Sequence, residues 1–115
     1  MLLITGLAIV LPASTRDKAV SYADDVAPIF ERSCVRCHGG LDEGELRIEA
    51  GLDLTSYEKL VLGSEFGEVL TPGEPDRSII VDLIEVGDMP SEGDPLDPEE
   101  IELIRTWVAE GAVNN

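Results

Sequence analysis

Apolar residues recur at Val26, Ile29, Phe30, Cys34 and Cys37, intervals of three and four that line one face of a helix beginning near Asp25. Pro28 falls in the first turn of that helix, where a missing N–H does little harm. A second pattern lies near the other end. Ile101, Ile104, Trp107 and Val108 form a stripe, Asp97 stands as N-cap, Pro98 takes the first helical position, Glu100 follows three residues after the cap, and Gly111 ends the helix. Between the two, residues 56–62 before Gly63 and residues 78–85 after Pro72-Gly73-Glu74-Pro75 read as shorter helices. Leu46-Arg47-Ile48 reads as a brief extended segment. The pattern predicts helices joined by Gly- and Pro-rich loops, with minimal strand and no internal repeat.

The amino-terminal stretch has a different character. Residues 2–11 form an apolar run of about ten residues, too short to span a bilayer but the length of a signal-peptide core, and Pro12-Ala13-Ser14-Thr15 supplies small residues for cleavage. No Lys or Arg precedes the run, a departure from the usual leader. The expected organisation is therefore a signal peptide or short apolar segment at 1–15, a linker at 16–21 and one domain at 22–115. Export to the periplasm or the extracellular space follows, with an uncleaved apolar tether as the alternative.

Cys34-Val35-Arg36-Cys37-His38 carries the chemistry. Cys-x-x-Cys-His is the spacing of covalent haem attachment. On one helical turn, thiols at i and i+3 share a side and reach the two vinyl groups of one porphyrin, and the following histidine faces the iron. The chain has two cysteines and one histidine, so all of its thiol and imidazole chemistry sits within these five residues. A zinc site usually takes four protein ligands, and here three would come only by recruiting the adjacent Cys37 and His38. A thioredoxin-type dithiol needs a βαβ context and has no use for the histidine.

With His38 on one side of the iron, the second axial ligand is found by elimination. Met1 lies in the leader, so Met89 is the methionine of the body of the chain. It stands in Gly87-Asp88-Met89-Pro90, where Pro90 limits its conformations and Gly87 permits an unusual approach. A thioether on a stiff loop suits an iron that changes charge without changing ligands. The plainer reading is a methionine filling a gap in the core.

At 115 residues the chain buries only about 60–65% of the surface it would expose unfolded. Its five aromatics (Tyr22, Phe30, Tyr57, Phe66 and Trp107) are few for a packed interior, unless a large flat cofactor fills the centre. The 24 acidic residues outnumber 8 basic ones, giving a net charge of −16. Such a field repels nucleic acid and anionic membrane surfaces. It would steer in a redox partner with a basic docking surface, although a solvated acidic surface that only maintains solubility accounts for the charge equally well. With the single histidine committed to iron there is no Ser/His/Asp constellation, and no pair of carboxylates stands out as an acid–base couple. The residues thus point to a carrier of single electrons and not to an enzyme. The alternatives are a fixed subunit of a multi-haem complex or filament, and, if Met89 does not ligate, a five-coordinate haem sensor or peroxidase-like oxidoreductase.

Four stretches, taken in order, resemble a known family: Val26-Ala27-Pro28-Ile29-Phe30 leading to Cys34-Val35-Arg36-Cys37-His38-Gly39; Gly51-Leu52-Asp53-Leu54-Thr55-Ser56-Tyr57; Pro72-Gly73-Glu74-Pro75-Asp76-Arg77-Ser78; and Met89-Pro90 followed by Glu99-Glu100-Ile101 and Trp107-Val108-Ala109-Glu110-Gly111-Ala112. Over roughly residues 22–113 the chain is similar to the planctomycete-type cytochrome c domain, a class I-like c-type cytochrome. The resemblance implies one haem c on Cys34 and Cys37, with His38 proximal and Met89 distal. It also implies an all-α fold in which the first and last helices cross beside the haem. Phe30 and Trp107 are expected to meet at that crossing. The Pro72 carbonyl is a candidate acceptor for the free ring N–H of His38, and Arg47 and Arg77 are candidates to neutralise haem propionates.

Overall fold

The computed structural model describes Gly6 and residues 18–115, so the leader expected at 1–15 falls almost entirely outside the described residues. Ser21 starts the first helical segment, its hydroxyl accepting from the Asp24 amide at 3.0 Å. Tyr22–Val26 form a π-helical turn that runs into α1 (Ala27–Ser33), with Pro28 in its first turn. The apolar face of this segment buries Val26, Ile29 and Phe30. The helix ends at Ser33, one residue short of the first cysteine, so the cysteines sit on a turn beyond the helix and not on its face.

The chain then pairs the extended segment expected at Leu46-Arg47-Ile48 with a strand that the hydrophobic pattern did not announce. His38–Asp42 (β1) and Glu45–Ile48 (β2) pair antiparallel, with His38 opposite Ile48, Leu41 opposite Leu46 and Asp42 opposite Glu45. The fold is therefore a small mixed α and β architecture, and the expectation of an all-α chain with minimal strand is corrected. The hairpin closes through Glu43 and Gly44, both at positive φ (51° and 85°), the turn geometry that matches the twist of two paired strands. Leu41 and Leu46 are 68% and 63% exposed, so the hairpin carries none of the inward–outward alternation by which a strand is usually read.

Three further helices follow. Ser56 caps α2 (Tyr57–Leu62), accepting from the Lys59 amide at 3.2 Å, and Gly63 ends it at φ 82°. Ser78 precedes α3 (Ile79–Glu85). The expected capping box opens α4 (Pro98–Ala109): Glu100 accepts from the Asp97 amide at 3.1 Å while the Asp97 side chain takes the amide of Glu100. These three helices fall where the spacing and caps place them.

Trp107 organises the core. Its ring lies 5.5 Å from Tyr22 and 6.4 Å from Tyr57, and those two tyrosines meet edge to face at 5.4 Å. Its indole N–H donates to the Val113 carbonyl at 2.9 Å. Phe30 is buried in the same cluster, but the ring that reaches Trp107 from the first helical segment is that of Tyr22. Asn115 joins the two ends of the described chain: its side chain accepts from the Tyr22 amide at 2.8 Å and donates to the Val20 carbonyl at 3.1 Å.

An ion pair reinforces this contact, the Arg32 guanidinium of α1 binding Glu100 of α4. That hydrogen bond holds the Glu100 carboxyl below its ordinary 4.5. A carboxylate whose folded value is depressed contributes stability above its unfolded value and loses it as pH falls through the folded value. Glu100→Gln should therefore melt below the parent protein near pH 6, and the gap should close on acidification below about pH 4.5. Melting curves between pH 3 and 7 check this; a gap independent of pH would mean that the pair contributes nothing through charge. The difference between variants is the informative quantity, because protonating a chain of net charge −16 also relieves general repulsion.

Candidate functional site

The Cys-x-x-Cys-His stretch forms a tight turn closed by backbone bonds, from Cys37 N–H to Cys34 O at 3.1 Å and from His38 N–H to Cys34 O at 3.0 Å. The turn passes straight into β1 only because the next two residues have no side chains. A Cβ on Gly40 would lie 2.7 Å from the Val35 carbonyl oxygen. One on Gly39, which sits at φ 104°, would lie 2.3 Å from Asp53. The glycines thus fold the hairpin back on the turn and fix the direction of His38.

Cys34 and Cys37 are free thiols. Burial pushes the Cys34 thiol up to about 11, with the neighbouring Cys37 adding to the rise, and burial raises Cys37 as well. Both therefore stay protonated near neutral pH, which leaves them poor partners for disulfide exchange.

His38 is oriented by its backbone surroundings. Its Nδ1 lies 3.2 Å from the Leu52 carbonyl oxygen. A carbonyl can only accept, so Nδ1 carries the proton and Nε2 keeps its lone pair for a metal. The acceptor is Leu52, not the Pro72 carbonyl expected from the sequence. No side-chain signal marks it, because the group that acts is a backbone oxygen.

These residues open onto one cavity of about 570 Å³, a size within the roughly 300–1,000 Å³ range of cofactor pockets. Cys34, Cys37, His38 and Met89 all line it. Met89 arrives on the loop after α3, its amide donating to the Leu83 carbonyl at 3.1 Å, and its peptide bond to Pro90 is cis. Leu52, Leu54, Val69, Ile80, Leu83 and Ile84 supply apolar wall, and Phe66, 84% exposed, stands at the margin. Of the two arginines expected near propionates, Arg47 lines the cavity, while Arg77 pairs with Glu74 away from it. Trp107 and Phe30 are core and not cavity lining.

The donor set fits a porphyrin. Two thiols and an imidazole nitrogen share a cavity that is largely apolar. Among the described residues, no group of three or more His, Cys, Asp or Glu is placed to hold a bare metal ion, as a zinc site would require. Two thiols at Cys-x-x-Cys-His spacing, one oriented imidazole and a thioether around a largely apolar cavity are the features of the cytochrome c class. The match to family models agrees: the model described as planctomycete cytochrome C covers residues 34–93, from the first cysteine to just beyond Met89, and the chain belongs to that family. No curated protein and no solved structure matches it. The family implies haem c. No helix among the described residues is long and apolar enough to cross a membrane.

Proposed function

We propose that this protein is an exported carrier of single electrons with one haem c, attached through Cys34 and Cys37 and held axially by His38 and Met89. The observation that carries the reading is the convergence of those four side chains on one cavity, although Met89 is 51 residues beyond His38 in the chain. When bound, the haem supplies an iron that cycles between ferrous and ferric.

The chain's own residues do the rest. Leu52 fixes the imidazole tautomer and plane through Nδ1, leaving Nε2 as the basic face. Leu54, Val69, Ile80 and Ile84 keep water from the cavity and lower its dielectric, which tunes the potential of whatever iron His38 and Met89 hold. Arg47 presents a cation at the wall that can face a propionate. The net charge of −16 steers in a partner with a basic docking surface, and that attraction weakens as salt shortens the screening length.

Redox titration of the purified holoprotein followed in the visible spectrum tests this reading. It should show one transition carrying one electron, with a low-spin spectrum in both states and only slow binding of carbon monoxide by the ferrous form. Ready carbon monoxide binding by the unmodified protein would mean an open iron position and a sensor or peroxidase-like role instead.

A further inference from the structure

Beyond Met89 itself, the loop that brings Met89 to the cavity is fastened through one side chain among the described residues. Its Met89 amide is tied back to α3, and Leu96 is buried before α4 begins. Among the described residues from Pro90 to Leu96, every hydrogen bond and ion pair to the rest of the protein runs through Glu92. Arg36, from the attachment turn, and Arg47, from β2, reach the same Glu92 oxygen at 3.2 and 3.1 Å.

The two guanidiniums are themselves held in place. Asp42 takes Arg36 on one carboxylate oxygen at 3.0 Å and Arg47 on the other at 2.7 Å, and Glu49 binds Arg47 at 2.8 Å. Arg47 is the inner of the pair, its side chain 26% exposed against 58% for Arg36. The cluster thus spans the attachment turn, the hairpin and the Met89 loop, and Glu92 lies 3.8 Å from the Cys37 sulfur.

We propose that Glu92, gripped by Arg36 and Arg47, is the fastener that keeps the Met89 loop closed on the cavity, a positioning role that rests on the reading of Met89 given above. Charge decides its direction. Two cations hold three carboxylates together in a chain that is strongly acidic overall, so the arginines cancel a repulsion that would otherwise push Glu92, and the loop with it, away from Asp42 and Glu49. Removing Arg47 leaves that repulsion uncancelled, whereas removing the Glu92 charge only releases the loop. Arg47→Gln should therefore open the loop more than Glu92→Gln does.

The test uses the holoprotein and two readouts. The first is the rate at which the ferrous form binds carbon monoxide, which is limited by Met89 leaving the iron. Glu92→Gln should speed it about threefold to tenfold, the effect of losing two partly exposed ion pairs, and Arg47→Gln should speed it further. Raising salt from 0.1 to 1 M, which shortens the screening length from about 10 to about 3 Å, should accelerate the parent protein but barely change Glu92→Gln. Asp94→Asn removes a charge from the same loop without touching the cluster, and should behave as the parent.

The second readout is hydrogen exchange of the Met89 amide, whose bond to the Leu83 carbonyl must break for the loop to open, and which reports the loop whatever the iron binds. Exchange should quicken in Glu92→Gln and Arg47→Gln and not in Asp94→Asn. Unchanged exchange in Glu92→Gln, or equal acceleration in Asp94→Asn, overturns the proposal. If instead exchange responds as expected while the parent already binds carbon monoxide as fast as Met89→Ala, the fastener stands and it is Met89 ligation that falls.

Discussion

Met89→Ala should turn a ferrous protein that binds carbon monoxide only slowly into one that binds it readily, and should lower the reduction potential by on the order of 0.1–0.3 V, a fraction of the ~0.8 V that axial ligation spans. Met89 lines the cavity wall and packs partly buried against the core, so alanine also removes packing. Met89→Leu separates the two effects. A methionine-to-leucine exchange roughly conserves volume and usually costs under about 1.5 kcal/mol, so the leucine variant should fold as the parent does while lacking the sulfur. Loss of the low-spin spectrum in both variants assigns the change to the thioether. If Met89→Leu keeps the parent spectrum, the methionine is a gap-filler and the second axial ligand lies elsewhere.

The second large effect concerns the attachment residues. Replacing both Cys34 and Cys37 by alanine should leave no haem attached after denaturation and should lower the melting temperature sharply. Without a captive cofactor, Leu52, Leu54, Ile80 and Ile84 line a cavity open to water. A ligand held at 100–1,000 times its dissociation constant stabilises by about 3–4 kcal/mol. At about 4–8 °C per kcal/mol for a domain of this size, the loss corresponds to roughly 10–30 °C. Calorimetry of the parent and the double variant measures it. Equal melting temperatures would mean that the polypeptide packs its cavity without help. Single variants should fall between, each retaining one thioether link.

How much of this was legible in the sequence depended on whether side chains or backbone carried the signal. Cys34, Cys37 and His38 declare themselves, because few other chemistries use that spacing. The helices Tyr57–Leu62 and Pro98–Ala109 were readable through Ser56, Gly63, Asp97 and Glu100, residues whose side chains or missing side chains terminate a helix, and Ile79–Glu85 through its place after Pro72-Gly73-Glu74-Pro75. The hairpin was half readable. Leu46-Arg47-Ile48 has strand character, but its partner runs from His38 through Gly39-Gly40, which no propensity assigns to a strand, and the paired leucines face solvent. Those glycines sit where a Cβ would collide, on Gly40 with Val35 of the turn and on Gly39 with the Asp53 side chain, a tertiary reason invisible to local pattern. Glu43-Gly44 was the available clue, a two-residue turn of the kind that closes hairpins.

The same division runs through the site. Met89 was singled out by elimination, since a thioether is rare chemistry, and the structure places it on the cavity wall. The acceptor for His38 could not, because a carbonyl oxygen belongs to every residue, and Leu52 was chosen by the path of the chain and not by its side chain. Arg47 and Arg77 were indistinguishable as surface cations. Only the fold shows that Arg47 reaches Asp42, Glu49 and Glu92 at the cavity wall while Arg77 pairs with its neighbour Glu74. Glu92 itself had no mark at all, being one of 24 acidic residues whose role comes from meeting two guanidiniums far away in sequence.

The central claim is that one porphyrin is covalently held by Cys34 and Cys37. Mass measurement under denaturing conditions, on the fragment of the purified holoprotein that contains Cys34-Val35-Arg36-Cys37-His38, tests it most directly. The account predicts a fragment heavier by one haem, with both thiols blocked to alkylation and the haem resistant to acid extraction. A fragment at the mass of the bare peptide with two alkylatable thiols, or two hydrogens lighter as a disulfide, would contradict it.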